Sequence, residues 1–199
     1  MLEKDNQTLV FDPGNWSTDF VGPGNVVAIM LTHEHADHFD KGLLDAIVDK
    51  NPKTTIIAPH EMAEKLADFS VQSVSPGDSV TVGPFALRFF GGEHAPIHPD
   101  IPSVVNVGVL VNGSFYYPGD SFALPDVPVK TLALPVTAPW LKISEPIDFM
   151  VAVKPNFAFP VHDHIASDDG KMLVDRILGG FAEKNDIHYQ RIQNPISVD

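Results

Sequence analysis

Eighteen prolines spread along 199 residues constrain this chain more than any other feature. Proline stops or kinks a helix, so the chain reads as an assembly of short elements, which argues against a long-helix bundle. Between the breaks lie apolar runs of strand length. Residues 26–32 (VVAIMLT) and 54–58 (TTIIA) are continuous and read as strands buried on both faces. Residues 79–82, 85–90, 104–111, 114–117, 130–134, 156–161 and 188–192 read as further short strands. Asn112-Gly113, between two of them, favours a type I′ hairpin turn, which needs positive φ at both positions. Apolar residues at helical spacing predict helices over 40–49, 61–69, 146–153 and 168–184. Helices alternate with strands at both ends, a β-rich stretch fills the middle, and no repeat or linker divides them. The expectation is one α/β domain over residues 1–199, with two sheets packed together and helices outside.

Composition narrows the function. Hydrophobic residues at 44% and charged residues at 20% describe a chain with a sizeable core. A net charge of −13 repels phosphate backbones and anionic surfaces, so neither nucleic acid nor membrane is an expected partner. With no cysteine, disulfides, thiolate metal sites and a cysteine nucleophile are all excluded. The first ten residues, MLEKDNQTLV, lack the basic start and apolar run of a signal peptide, and a cytoplasmic location is expected.

Chemistry concentrates where the run 26–32 ends. Thr32-His33-Glu34-His35-Ala36-Asp37-His38 sets three imidazoles and a carboxylate between a strand and a helix, where α/β sites are built. On extended backbone His33 and His35 point to the same side, and Asp37 and His38 fall where the chain turns. Crowded imidazoles repel when protonated and make sense as neutral donors around a cation. Against this stands a solvated polar loop. Three more candidates follow apolar runs: His94 after 85–90, Asp120 in Tyr117-Pro118-Gly119-Asp120-Ser121, and His162 in Phe159-Pro160-Val161-His162. Singly, each reads as a surface or turn residue; a fold that gathers strand ends would gather them with the cluster.

The T-H-x-H-x-D-H segment, together with Val10-Phe11-Asp12-Pro13-Gly14, His94, Asp120 and His162 in that order, resembles the metallo-β-lactamase superfamily. The resemblance runs over about residues 8 to 192. It is strongest to small hydrolases related to L-ascorbate-6-phosphate lactonase, through 117–121 and 160–162. It implies an αββα four-layer sandwich and a dinuclear metal site. In that site His33, His35 and His94 hold one ion, Asp37, His38 and His162 the other, and Asp120 bridges both. Asp12 resembles the acid that orients a ligand histidine. Family members open with a strand ahead of the segment matching 9–12; here only Met1-Leu2-Glu3 stands in its place, so that strand is expected to be all but missing.

The implied chemistry is metal-dependent hydrolysis of a small ester, lactone or phosphoester by a metal-bridging hydroxide, with Asp37 and Asp120 as catalytic carboxylates. Histidine and carboxylate donors suit two divalent ions, zinc foremost, with manganese or iron as alternatives. Asp37 is also a candidate proton shuttle. His98, His164 and Trp140 are candidates for the pocket, against readings as loop or surface residues; His60 and His188 read as structural or surface residues. Other functions stay open: a phosphodiesterase or nuclease of the same fold, disfavoured by the acidic surface, and a non-catalytic metal-binding protein. An exposed sheet edge would recruit a second copy, so a homo-oligomer also stays open.

Overall fold

The computed structural model describes residues 1–18 and 20–198. The chain opens with β1 (Leu2–Lys4), β2 (Gln7–Phe11), β3 (Val26–Met30), α1 (Lys41–Lys50), β4 (Thr55–Pro59) and β5 (Val71–Val74). It continues with β6 (Ser79–Val82), β7 (Phe85–Gly91), β8 (Val107–Val111), β9 (Phe115–Tyr117) and β10 (Thr131–Pro135). It closes with α2 (Ser144–Val153), β11 (Phe157–Val161), α3 (Asp168–Lys184) and β12 (His188–Tyr189). Two sheets result, β1-β2-β3-β4-β5 and β12-β11-β10-β9-β8-β7-β6. In the first, β2 to β5 run parallel and β1 pairs antiparallel at the edge. In the second, β9 to β12 are parallel and β6 to β9 antiparallel.

Alternation along the strands sorts the side chains into layers. Leu9, Ala28, Met30 and Ile57 of one sheet meet Leu87, Phe89, Val109, Val111 and Ala133 of the other in the central core. Their neighbours Val10, Ile29, Leu31 and Ile56 face outward, under Leu44 and Ile47 of α1. Leu110, Leu132 and Leu134 face the other way, under Phe149 and Met150 of α2 and Leu178 and Ala182 of α3. Apolar residues on both faces of the central strands require a layer on each side, and the outcome is the expected αββα sandwich.

Local chemistry fixes the ends. Asp40 caps α1 by accepting the Leu43 N–H at 2.8 Å, and Ser167 caps α3 by accepting that of Gly170 at 3.1 Å. Asn112 and Gly113 adopt φ of 51° and 64°, as the hairpin between β8 and β9 demands. The strand ahead of β2 is present as three residues, with Leu2 opposite Leu9.

Two expectations need correction. Residues 61–69 do not form an α-helix; a 3₁₀ turn at His60–Met62 leads into further turns. Met62 and Leu66 dock into the core beneath β4, and a segment this short has no helical stability of its own to impose regularity. The strand expected over 104–111 begins only at Val107. The Val104 carbonyl instead accepts the His94 N–H, and that of Asn106 accepts the Gly92 N–H, so the backbone is spent on the loop that carries His94. β5 carries no apolar run that marks a strand: Val-Gln-Ser-Val is short and half exposed.

Candidate metal centre

All seven candidate residues lie in loops that leave strands at the same end of the two sheets. His33, His35, Asp37 and His38 follow β3, His94 follows β7, Asp120 follows β9 and His162 follows β11. The loop after β2 packs directly beneath the histidine cluster. A Cβ built on Gly14 would sit 1.8 Å from the Asp37 carbonyl oxygen, so only glycine lets the two backbones approach so closely. Asn15 N–H donates to the Ala36 carbonyl and Asp40 N–H to that of Pro13, at 2.9 and 3.0 Å.

The donor atoms converge in two groups. His33, His35 and His94 each offer a nitrogen within 4.8 Å of the others, and so do the ligand atoms of Asp37, His38 and His162. Asp120 lies between the groups. Its Oδ2 is 3.3 Å from Nε2 of both His94 and His162, and its Oδ1 is 3.2 Å from Nε2 of His38. Asp37 Oδ2 is 3.3 Å from His162 Nε2. His33 Nε2 and His35 Nδ1 are 3.1 Å apart.

Hydrogen bonds behind the imidazoles set which nitrogen faces inward. Nδ1 of His38 donates to Asp12 Oδ2 at 2.8 Å, and Nδ1 of His162 to the Thr137 carbonyl at 2.8 Å. His94 Nδ1 donates to the Ala95 carbonyl. Thr32 Oγ1 donates to Asp12 Oδ2 at 2.6 Å and therefore accepts from His33 Nδ1 at 3.0 Å. Protons on these Nδ1 atoms leave Nε2 of His33, His38, His94 and His162 aimed at the common space. His35 is the exception and presents Nδ1. Outer partners of this kind fix tautomer and ring orientation in metal sites.

Three of those nitrogens are left without a hydrogen-bond partner. Nε2 of His38, His94 and His162 and Oδ1 of Asp120 are buried and make no hydrogen bond, where burial normally forces polar atoms to pair. A tetrahedron with metal–ligand bonds of ~2.0–2.1 Å has edges of about 3.3 Å. Five separations of 3.1–3.3 Å in the cluster match that edge, that of His38 Nε2 from Asp37 Oδ2 is wider at 3.8 Å, and every donor is an imidazole nitrogen or a carboxylate oxygen. The residues fit a divalent metal ion.

Ionisation carries the same message. Burial lowers His38, but Asp12 and Asp120 outweigh it and hold the imidazole up to about 10. His162 is likewise lowered by burial and raised on balance to about 11 by Asp120 and Asp37. Burial pushes His33 down to about 3, with the charge of His38 adding to it, and burial also lowers His35. Burial would raise Asp120 and Asp37, yet the histidines around them hold both below the ordinary carboxylate range. Protons on His38 and His162 occupy the part that cations would take.

Asp12 holds the arrangement together. Besides His38 and the Thr32 hydroxyl, its carboxylate accepts the Thr32 N–H at 2.7 Å and the Tyr117 hydroxyl at 2.8 Å. Asp12 and His162 both have left-handed φ, 43° and 59°, uncommon outside glycine and frequent at functional sites. Asn106, fully buried, accepts the Asp120 N–H and donates to the Pro118 carbonyl, fixing the turn that presents Asp120. The roles of Thr32, Asn106, Gly14 and Tyr117 escaped the sequence reading, because each acts through contacts distant in the chain. Of the pocket candidates, Trp140 takes a part: its Nε1–H donates to Asp120 Oδ2 at 3.0 Å, and its ring lies edge-on to His94. His60 and His188 are exposed and away from the cluster.

Two cavities open on the centre. One of ≈ 320 Å³ is lined by His35, His94, His98 and the proline-rich segment after His94. The other, of ≈ 920 Å³, reaches Asp37, His38 and His162 and is walled by Trp16, His164 and Lys171 among others. His164 is exposed and stacks on Trp16, with ring centroids 5.6 Å apart.

Comparison with known proteins agrees with this geometry. Residues 1–162 match the family described as the Beta-lactamase superfamily domain. The chain belongs to that superfamily. Within it, the chain is 37% identical over 177 residues to Protein Rv0786c of Mycobacterium tuberculosis, covering 86% of this chain and 83% of that one. The fold is similar to that of Igni18, a metallo hydrolase from Ignicoccus hospitalis, with TM-score 0.69 at 16% identity over 96% of this chain and 89% of that chain. It is also similar to YhfI, a metallo-beta-lactamase fold protein from Bacillus subtilis, with TM-score 0.68 at 16% identity over 98% of this chain and 87% of that chain. The metallo-β-lactamase fold expected from the sequence is therefore the fold observed. Among the described residues no helix is long and apolar enough to cross a membrane.

Proposed function

We propose that this chain is a dinuclear metal-dependent hydrolase acting on a small ester, lactone or phosphoester. The observation that carries the reading is the set of buried, unpartnered imidazole nitrogens converging on Asp120. His33, His35 and His94 would hold one ion and Asp37, His38 and His162 the second, with Asp120 placed between the two groups. Zinc suits the donors best, with manganese or iron as alternatives. Ions so held would polarise a carbonyl or phosphoryl oxygen and would lower the pKa of water to about 7.

The chain's own groups do the rest. The Asp12–Thr32 pair keeps His33 and His38 in their inward tautomers, so no reorganisation is needed when the centre works. Asp120 is held from behind by Asn106 and covered by Trp140, which keeps its carboxylate oriented. Asp37 is less buried than Asp120 and lines the larger cavity, where it can take a proton and pass it to a departing oxygen.

Three treatments of one preparation test the reading: as purified, stripped with chelator, and reloaded with Zn²⁺ or Mn²⁺. Each is assayed on a panel of aryl esters, lactones and phosphoesters. Turnover lost on stripping and restored on reloading is expected. Metal uptake with no turnover on any of the three classes would leave a binding protein instead.

A further inference from the structure

The larger cavity contains a cation that the metal chemistry does not use. Lys171, in the first turn of α3, lines it together with Asp37 and His162. Most basic groups near this end of the molecule are engaged: Arg191 donates to Asp163 and Asp175, and His162 contacts Asp37 and Asp120. The Lys171 ammonium is different. Among the described residues it has no hydrogen-bond or ion-pair partner, although the chain carries twice as many acids as bases, 26 against 13. The carboxylates near it do not quench it. Asp163 is taken by Arg191, and Glu3 lines the cavity from β1 without pairing to Lys171. Asp168 and Asp169, in the same helical turn, are exposed and do not line the cavity.

Part of the same lining is aromatic and apolar. Trp16 and His164 stack with an interplanar angle of 18°, and Trp16 also lies edge-on to His162 at 6.4 Å. Phe159, Ile192 and Ile196 extend the lining. At ≈ 920 Å³ the space suits a drug-sized ligand. Of the carboxylates in its lining, Asp12 is engaged by His38 and Asp37 by His162 at the metal centre, and Asp163 is paired with Arg191.

We infer that this cavity is an anion subsite. It takes the carboxylate or phosphate of a substrate whose flat body lies along Trp16 and His164, and Lys171 holds the anionic oxygens while the scissile bond reaches the metal centre. This rests on the hydrolase reading and deepens it: the substrate is an ester, lactone or phosphoester bearing a remote anionic group. One charge-assisted contact corresponds to a preference of about tenfold or more.

The test compares three acetyl esters with the same reacting bond: 4-acetoxybenzoate, 4-acetoxyphenyl phosphate and the neutral methyl 4-acetoxybenzoate. Wild type should favour one or both anionic esters in kcat/KM by about tenfold or more, and Lys171→Met should bring that ratio close to unity. The better of the two anionic esters tells carboxylate from phosphate. Equal ratios in wild type and variant overturn the inference. A second arm needs no turnover: calorimetric titration of metal-stripped protein with 4-hydroxybenzoate, phenyl phosphate and phenol. Anion binding that exceeds phenol binding and is lost in Lys171→Met supports the subsite. Indifference to charge, or to the substitution, refutes it. If no ester turns over in the reloaded enzyme, the hydrolase reading fails by itself and the subsite is judged by this arm.

Discussion

Replacing Asp12 by asparagine is the sharpest perturbation of the centre that removes no ligand. The carboxylate accepts four hydrogen bonds, one at Oδ1 from the Thr32 N–H and three at Oδ2 from Thr32 Oγ1, His38 Nδ1 and Tyr117 Oη, at 2.6–2.8 Å. An asparagine keeps the shape but places an NH₂ at one of these positions. With its oxygen toward the Thr32 N–H, the amide confronts three donors. The two hydroxyls can rotate and accept, but His38 can accept only by surrendering its Nδ1 proton and taking one at Nε2. That atom lies 3.2 Å from Asp120 and must be bare to bind an ion. The reverse orientation keeps His38 and sets the amide against the buried Thr32 N–H, 2.7 Å away. Either way a charge-assisted bond of about 1.5–3 kcal/mol is lost. Loss of such outer partners costs about 10–100-fold in metal affinity. The assay is competition against a chromophoric chelator, resolving the uptake steps of wild type and D12N, with Tyr117→Phe as the control that removes a single donor. D12N should weaken the step served by His38 by about 10–100-fold, and Tyr117→Phe much less. Uptake in D12N indistinguishable from wild type would refute the reasoning.

Other outcomes follow from the same geometry. Gly14→Ala drives a Cβ to 1.8 Å from the Asp37 carbonyl oxygen, so urea melts should show a loss of about 1–3 kcal/mol, with weakened metal retention; an unchanged midpoint would show that the loop yields freely. In the metal-free protein, His38 is raised to about 10 above an ordinary value of 6.5, so its stabilisation is full below about pH 6.5 and is lost as pH rises through about 10. The melting temperature of stripped protein should fall over that window, and a flat profile would contradict the Asp12–His38 pairing. Metal uptake should run the other way, tightening as pH rises and releasing protons, which calorimetry in buffers of different ionisation enthalpy detects; uptake with no proton release would contradict protonated His38 and His162. Arg191→Ala removes bonds to Asp163 and Asp175 that tie the C-terminal segment to α3 and to the loop after His162; a loss of about 1–3 kcal/mol in urea melts is expected, and none if the clamp is idle.

Much of this was legible in the sequence because it is local. A buried strand must be apolar, a turn with positive φ calls for Asn-Gly, and a helix packed on one face repeats its apolar residues at helical spacing. Hence β3, the 112–113 turn and the span of α3 could be read directly. The seven candidate ligands were found because they follow strands, and gathering strand ends is what a two-sheet sandwich does. What stayed hidden depends on long-range contact. Thr32 reads as a strand residue until Asp12, twenty positions earlier, lies against it. Asn106 sits inside an apolar run, and only the fold brings the Asp120 turn to it. Trp140 reads as a pocket wall or a loop filler, and its bond to Asp120 is a contact its own neighbours in the chain do not encode. The failed helix at 61–69 has the right periodicity, but two anchored side chains set its path. Lys171 and Trp16 carry no sequence signal, since an unpaired lysine and a loop tryptophan are ordinary until a cavity lies between them.

Metal content tests the central claim most directly. Protein purified without chelator, measured by elemental mass spectrometry beside Asp120→Ala, should carry about two equivalents of divalent metal per chain, falling to one or fewer in the variant. Folding of the variant is checked by circular dichroism. Little metal in wild type, unrecovered after adding Zn²⁺ or Mn²⁺, would contradict the account, and so would content that Asp120→Ala leaves unchanged.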